Sequence, residues 1–309
     1  MKNKYLFVLM MLVCITIAGL GLTTAYEKQQ DLAGTDDLKI VTSFYPMYIA
    51  AMNVIGDADG VQLENLSEPQ TGCLHDYQLT PEDMKLLSTA DVFVVNGGGI
   101  ETFLADVAEE YPELTIIYAS AGLELYEGNP HVWMNPELYA KQVHTIAHEL
   151  SEVEVVEEEL AAAFENNAHN YIAQIDVLVQ QIVSLKGDTE GEPILSFHEA
   201  YGYVANAFGM TIVGEMDLDE ERQISAGEVA DMIQLIEEHD VELIFAEELY
   251  GKSMGDTIQA EVDAEVLYLD PITRGEYEAT AYLKAMQNNI DLIHDAFHDH
   301  AGDSDHEHQ

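Results

Sequence analysis

The stretch Val153–Lys186 reads VEVVEEELAAAFENNAHNYIAQIDVLVQQIVSLK; it contains no Gly or Pro and repeats apolar residues at helical spacing. This composition and period predict one long helix, a connector over residues 153–187. About 30 residues at ~1.5 Å each span roughly 45 Å, enough to cross the back of two lobes. The connector has no Gly/Ser hinge, so we expect it to be rigid and to permit only small rocking.

Short apolar runs alternate with helical patterns on both sides of this connector. Examples before it are LKIVTSF (38–44) and DVFVVNGGG (91–99), and examples after it are EPILSF (192–197) and VELIFAEE (241–248). Such alternation is typical of βα units and parallel sheets. The sequence therefore predicts an α/β protein with two βα lobes, at residues 38–152 and 188–297, joined by the rigid helix.

The first 25 residues carry two early lysines, a long apolar run and then small residues. This order predicts an export signal, and two outcomes stay open: cleavage, or retention as an N-terminal anchor. Cys14 does not fit a lipid-attachment site, because Val13 precedes it and the apolar run continues beyond it. Cleavage near Ala25 would leave Cys73 as the single cysteine, so we expect no intramolecular disulfide.

The chain is strongly acidic, with 58 Asp and Glu against 11 Lys and Arg and a formal net charge of −47. Binding to nucleic acid depends on exchanging cations at phosphates, and this surface offers few basic groups for that purpose. We therefore expect no nucleic-acid partner. The charge is typical of a heavily solvated surface, and its field would also gather divalent cations.

Three histidines lie in separate contexts typical of metal ligands: His75 in GCLHDYQLTPEDM, His131 in NPHVWMNP and His198 in ILSFHEAYGYVA. Imidazole is the commonest protein ligand for zinc, and three imidazoles plus one oxygen satisfy its tetrahedral preference. His75 and His198 follow predicted strands, whose carboxyl ends would meet in a cleft between the lobes. Asp270 ends the predicted strand AEVLYLD in an equivalent place, so we expect it to be the fourth ligand.

Three glutamates lie close to the predicted cleft. Glu199 follows His198 directly, and Glu247 and Glu248 end the strand VELIFAEE. We expect them to accept hydrogen bonds from the ligand imidazoles, with direct metal binding as the alternative.

The end of the chain, residues 298–309, forms a tail rich in His and Asp. It is interpreted either as a solvated acidic end or as a weak, exchangeable capture site for metal. Together with His294, just before the tail, the histidines that could take part are His298, His300, His306 and His308.

Two further motifs have simpler interpretations. His144 and His148 are four residues apart in VHTIAHEL and could hold a metal, but the glutamate of a zinc hydrolase motif is missing between them, so surface histidines are favoured. The run NGGGIE lacks the spacing of a dinucleotide-binding loop and predicts a tight turn from strand to helix.

The chain resembles the metal-binding solute-binding proteins of ABC importers, particularly the zinc-uptake branch. The resemblance covers about residues 38–297 and is carried by five segments. These are GCLHDYQLTPEDMKLLSTADVFVVNGGG, NPHVWMNP, SFHEAYGYVANAFG, FAEELYGKSMGDTI and YLDPIT.

This resemblance implies two βα lobes joined by a rigid helix, with His75, His131 and His198 as the principal ligands. Manganese-type relatives usually carry Glu at the third position, so His198 indicates Zn²⁺, with Mn²⁺ less favoured. Asp270 matches the family's acidic fourth ligand. The resemblance further implies a non-enzymatic, exported protein that delivers Zn²⁺ to an ABC transporter permease on the outer or periplasmic face of the membrane, and we expect a monomer.

Other readings stay open at this point. The cargo could be manganese or iron; three histidines and water also describe the catalytic zinc of a hydrolase; and an adhesin could use the same fold. The chain departs from many zinc-binding members of the family in one respect. It lacks their long His-rich loop between the first two ligands and carries the His/Asp tail instead.

Overall fold

The computed structural model describes residues 37–67, 74, 75, 77–216, 218 and 225–304. Two lobes follow one another along the chain, and each is built on a four-stranded parallel sheet. The first lobe contains β1 (Leu38–Thr42), α1 (Tyr45–Ile55), β2 (Val61–Asn65), α2 (Pro81–Leu87), β3 (Val92–Val95), α3 (Leu104–Glu110), β4 (Thr115–Tyr118) and α4 (Pro136–Ser151). The second contains β5 (Pro193–Ser196), α6 (Tyr201–Phe208), β6 (Thr211–Glu215), α7 (Ala226–His239), β7 (Leu243–Ala246), α8 (Glu248–Gln259), β8 (Glu265–Tyr268) and α9 (Ala281–Ser304).

Helix α5 (Glu158–Thr189) lies between the two lobes and is 32 residues long. The predicted architecture, two parallel α/β lobes and a long helix, is thereby confirmed. The helix starts five residues later than Val153, so that part of the prediction was wrong. Val153 and Val156 pack against the core from the turn between α4 and α5 instead, which makes α4 and α5 a helical hairpin.

Both sheets have the same strand order, β2-β1-β3-β4 in the first lobe and β6-β5-β7-β8 in the second. Every pairing is parallel, so the carboxyl ends of all strands in one sheet lie at the same edge. The loops at these edges therefore supply the walls of the cleft.

Alternating residues of the second sheet face two different cores. In β7, Leu243 and Phe245 join a core that continues through α4 and α5 into the first lobe, whereas Ile244 and Ala246 join a separate cluster with α7 and α8. Strand side chains alternate between the faces of a sheet, so one strand can serve both cores. The larger core, which includes side chains of both lobes, thus packs the two lobes against each other.

Aromatic side chains from three segments form what we call the interlobe junction: Trp133, Tyr139 and Tyr282. The rings of Tyr139 and Tyr282 stack with centroids 3.7 Å apart. The Tyr282 hydroxyl donates to the carbonyl of Trp133 at 2.8 Å, and the Trp133 Nε1 donates to the carbonyl of Pro271 at 2.9 Å. All three side chains are fully buried. Helix α9 thereby fastens the end of the second lobe to the first.

Helix α3 begins at Leu104, because the Glu101 carboxyl is used in the preceding turn. Helix α8 begins at Glu248, and α9 begins at Ala281. Helix α9 also extends to Ser304, into the segment predicted as a tail. Among the residues described, no helix combines the length and apolar character needed to span a membrane.

Replacing Tyr282 by Ala is expected to lower the free energy of unfolding by about 3–5 kcal/mol, because a large buried aromatic ring is lost from the junction. Leu292→Ala, on the same helix but with 41% of Leu292 exposed, is the matched control and should change it far less. Urea unfolding followed by far-ultraviolet circular dichroism measures both. Equal losses in the two variants would show that the junction does not hold the lobes together.

Candidate metal centre

Four residues with metal-binding groups meet where the two lobes face each other. His75 lies between β2 and α2, and His131 lies between β4 and α4, both in the first lobe. His198 and Glu199 follow β5 in the second lobe. The carboxyl ends of parallel strands are the usual location of ligand sites, and here two such edges contribute to one cluster.

Of the three predicted histidines, His131 lies in the middle, with His75 and His198 next to it. The ring centroid of His131 is 5.1 Å from that of His75 and 5.1 Å from that of His198. The Nε2 atoms of His75 and His131 are 3.4 Å apart. Two nitrogens bound to one tetrahedral zinc at about 2.0–2.1 Å would be about 3.4 Å apart. The structure therefore brings together all three histidines and holds two of them at the separation that a shared cation needs.

The Glu199 carboxylate completes this cluster. Its Oε1 lies 3.1 Å from His75 Nε2 and 3.3 Å from His131 Nδ1. One ligand atom each from His75, His131 and Glu199 lie within 4.8 Å of one another. The hydrogen bond from His75 holds the pKa of Glu199 below its usual range. This carboxylate therefore supplies a negative charge from the second lobe to two rings of the first.

Asn129 orients the His131 ring. Its Oδ1 lies 2.9 Å from His131 Nδ1 and accepts a second hydrogen bond from the His131 backbone N–H at 2.9 Å. Because an amide oxygen can only accept, the His131 proton lies on Nδ1, and the lone pair of Nε2 faces His75. The Asn129 Nδ2 donates to the Glu199 carbonyl at 2.6 Å, so one side chain links both halves of the cluster.

His131 is fully buried, and this burial decides its charge. Desolvation lowers the pKa of His131 well below its usual value, and the neighbouring rings of His198 and His75 lower it further. A neutral imidazole is the form that binds a metal. The ring is therefore held in its binding form across the neutral pH range.

His198 is also buried, with 9% of its surface exposed. Its Nδ1 accepts a hydrogen bond from the Ala200 backbone N–H at 3.0 Å, and its carbonyl accepts one from the Ser196 hydroxyl at 2.7 Å. With Nδ1 as acceptor, the proton of the neutral ring lies on Nε2. Binding a cation through Nε2 would thus require the proton to move to Nδ1 and the hydrogen bond from Ala200 to break.

Asp270 is held in a different set of contacts. Its Oδ1 accepts from the Ile272 backbone N–H at 2.7 Å, which supports a turn in which Ile272 has a positive φ of 55°. Burial raises the pKa of Asp270, and the Asp270 charge helps to raise the pKa of Tyr45 to about 12, after burial of that phenol. The Asp270 carboxyl therefore stabilises this turn and lies close to Tyr45.

The remaining acidic candidates lie at the start of α8. Glu247 is buried and pairs with Arg274, whereas Glu248 is exposed. The guanidinium neutralises Glu247, so this carboxylate is engaged with a protein cation.

The tail histidines are only partly described. His294 is 43% exposed, with its Nδ1 3.0 Å from Asp295 Oδ1. The side chains of His298 and His300, and the whole of His306 and His308, lie outside the described residues.

The NGGGIE motif forms the tight turn that the sequence predicts, and it also positions the site. Gly97, Gly98 and Gly99 all have positive φ. The buried Glu101 carboxyl accepts from the backbone N–H groups of Asn96 and Gly97 at 2.7 and 3.0 Å, and burial raises the pKa of Glu101. The backbone amides of this turn therefore bind a carboxyl group of the same chain, that of Glu101.

Asn96 connects this turn to the ligand loop. Its Nδ2 donates to the carbonyl of Pro130, the residue before His131, at 2.9 Å. Sequence reasoning did not find Asn96, Glu101 or Asn129, although Asn129 stands inside the motif NPHVWMNP. An amide two residues before a candidate ligand was the available signal.

A cavity of about 440 Å³ opens beside Glu199. Its lining includes the acidic residues Glu127, Glu199 and Glu215, together with Tyr126 and Asn129. Carboxylates around a recess concentrate cations there. The cavity therefore gives a cation an electrostatically favourable approach to the cluster.

Comparison with known proteins places this geometry in context. A family model described as zinc-uptake complex component A, periplasmic, matches residues 40–296. The chain is 28% identical over 286 residues to the high-affinity zinc uptake system protein ZnuA of Bacillus subtilis, covering 84% of this chain and 88% of the relative. It is 26% identical over 310 residues to the manganese-binding lipoprotein MntA of Halalkalibacterium halodurans, covering 95% and 98%.

A solved structure is similar in fold. The solute-binding protein FpvC of Pseudomonas aeruginosa, in complex with Ni²⁺, superposes with a TM-score of 0.74 at 26% identity. The match covers 85% of this chain and 97% of FpvC.

Titration with Zn²⁺ at pH 5.5 is expected to release at most two protons from the cluster per bound cation. Burial holds the pKa of His131 well below its usual value, so this ring is already neutral. The hydrogen bond from His75 keeps the pKa of Glu199 low, so this carboxyl is already ionised. Calorimetry in buffers of different ionisation enthalpy counts the protons, and release of three would show that His131 is charged in the metal-free protein.

Zinc affinity should accordingly fall as the pH falls, because protons compete for the other two rings. A ring with the reference pKa of about 6.5 is about tenfold less available at pH 5.5. Competition titrations between pH 7.5 and 5.5 measure this change. An affinity that stays constant over this range would argue against histidine ligation.

Proposed function

Because this chain belongs to the family of periplasmic zinc-uptake component A proteins, which bind metal for ABC transporters and are not enzymes, we propose that it captures Zn²⁺ outside the cytoplasm and delivers it to a membrane permease. The observation that carries the proposal is the cluster itself. His75 and His131 have Nε2 atoms 3.4 Å apart, and Glu199 Oε1 from the other lobe lies 3.1 Å from His75. Family membership also removes the support for a zinc hydrolase.

We propose His75, His131 and His198 as the nitrogen ligands and an acidic residue as the fourth. Glu199 is favoured by distance, since its carboxylate already contacts two of the rings. Asp270, the residue predicted from the sequence, is the alternative, but its Oδ1 is engaged with Ile272. For Asp270 to bind the cation, this turn would have to open.

Zinc as the cargo is supported by the donor set. Imidazole nitrogens suit Zn²⁺, whereas sites for Mn²⁺ are richer in oxygen. Related proteins are named for zinc and for manganese, so relatedness alone does not choose between them. The choice of zinc therefore depends on the third histidine, His198, lying at the cluster.

The delivery mechanism follows from how the lobes are joined. A cation bound by residues of both lobes stabilises their approach. The fully buried interlobe junction limits large hinge motion, so we propose that loading changes the cleft edges through small side-chain and loop movements. The edges of the cleft would then signal the loaded state to the permease.

The cellular setting completes the proposal. We propose an exported monomer at the outer or periplasmic face, with cleavage or retention of the N-terminal segment as the two alternatives. The acidic surface would draw Zn²⁺ toward the cleft at low ionic strength and less strongly in salt.

His75→Ala and His131→Ala are each expected to weaken Zn²⁺ binding by more than about 100-fold, since even the loss of an outer partner costs about 10–100-fold. His239→Ala is the matched control, because His239 is an exposed histidine at the end of α7. Chelator competition measures all three affinities. Retention of tight binding in both cluster variants would overturn the proposed function.

Glu199→Gln and Asp270→Asn separate the two candidates for the fourth ligand. We expect Glu199→Gln to weaken Zn²⁺ binding by at least about tenfold, because the substitution removes a charge in contact with two ligand rings. Asp270→Asn should leave the affinity nearly unchanged. The reverse pattern would assign the fourth position to Asp270.

His198→Glu is expected to lower the ratio of Zn²⁺ to Mn²⁺ affinity. The ratio is the informative quantity, because nearly every protein site prefers Zn²⁺ to Mn²⁺ in absolute terms. Parallel titrations of the wild type and the variant with both cations measure it. An unchanged ratio would mean that His198 does not set the selectivity.

A further inference from the structure

The helical hairpin of α4 and α5 carries a second group of metal-binding side chains. His144 and His148 are four residues apart on α4, so they lie on the same face, one turn apart. Their rings lie nearly parallel, with an interplanar angle of 27° and centroids 6.4 Å apart. Two histidines at this spacing on one helix are a known arrangement for zinc.

Helix α5 contributes a carboxylate to the same place. Glu165 Oε1 lies 3.8 Å from His148 Nδ1, and the two side chains are 45% and 57% exposed. The separation is too long for a hydrogen bond. Ligand atoms on one tetrahedral zinc are about 3.4 Å apart, so a rotation that closes about 0.4 Å would let one cation bridge them.

The register of the hairpin adds a fourth group. Helices α4 and α5 are joined by a short turn and run antiparallel, and the contact between His148 and Glu165 fixes their register. One turn back along α4 is His144, and one turn forward along α5 is His169. By this register we infer that His169 faces His144 across the hairpin, and both residues are exposed.

The helices that hold these residues are firmly placed. The neighbouring residues Val143 and Ala147 of α4, and Phe164 and Ala168 of α5, are all buried in the larger core. Adjusting the site therefore needs only side-chain rotation at the surface. The pre-set backbone reduces the entropy cost of bringing the ligands together.

From this geometry we propose a second, exposed site for a divalent transition metal such as Zn²⁺, formed by His144, His148 and Glu165, with His169 as the opposing ligand. It lies on the outer side of the hairpin and is independent of the cleft. A cation there would tie α4 to α5. Because the ligands are solvated and must rotate into place, the site binds less tightly than the cleft and exchanges readily.

The test counts bound Zn²⁺ in the full-length chain. The tail histidines are first replaced by Ala in every sample, so that the tail cannot contribute; these are His294, His298, His300, His306 and His308. Equilibrium dialysis at a series of free Zn²⁺ concentrations then resolves a tight and a weaker class of sites. We expect one equivalent in each class.

The double substitution His144→Ala with His148→Ala is expected to abolish the weaker class and leave the tight class intact. Glu165→Gln should weaken Zn²⁺ binding in the weaker class by at least about tenfold, because one of the proposed ligands is lost. His239→Ala and Glu149→Gln are matched controls on exposed helix positions and should change neither class.

A second readout links binding to the hairpin. Zn²⁺ at concentrations that fill the weaker class should slow hydrogen exchange of the α4 and α5 amides around residues 144–169 in the wild type and not in the double variant. An unchanged weaker class in the double variant overturns the proposed site. Loss of the tight class in cluster variants such as His75→Ala is a separate result that concerns the cleft alone.

Discussion

The buried interlobe junction fixes the relation of the two lobes, and the rest of the structure depends on it. Trp133 hydrogen-bonds with the second lobe, packs edge-on against Phe44 and lies two residues after His131. Displacing this indole would therefore move His131, the central ring of the candidate metal centre, as well. Stacked aromatic rings combine a large buried area with a defined geometry, so they hold position more strictly than aliphatic contacts do. The packing of the buried core therefore sets the width of the cleft.

The candidate metal centre shows how a very acidic protein controls charge locally. The three histidines lie close together, and burial keeps His131 neutral, so this ring adds no positive charge beside His75 and His198. Glu199 brings one carboxylate into contact, while Arg274 neutralises the nearby Glu247. A divalent cation is thus offered nitrogen donors and a limited negative charge, although the chain as a whole carries a formal charge of −47. The proposed selectivity would have to come from this local arrangement, since the overall field attracts every cation alike.

The sequence was sufficient for the architecture because the period of apolar residues differs between strands and helices, and two sets of alternating elements flank one unbroken helical stretch. The three histidines could be chosen because each follows or precedes a recognisable element. Glu199 was named as a neighbour of the imidazoles with its exact role left open, and Asn129 was missed, since the direction of a side chain on a loop depends on contacts from the other lobe. The start of the connecting helix was misplaced for a related reason. Val153 fits a helical period, yet packing of the α4–α5 turn decides its conformation.

The return of α9 to the first lobe has a consequence for how the protein forms. Tyr282 stacks on Tyr139, a partner 143 positions earlier in the chain, and both lobes must be in place before this contact can be made. Closing so long a loop is slow, so contacts of this kind limit the rate of folding. During synthesis, the first lobe is complete before Tyr282 has been made, and Tyr139 must wait for its stacking partner. A chain that ends before its final helix would therefore lack the contacts that Tyr282 makes with Tyr139 and Trp133.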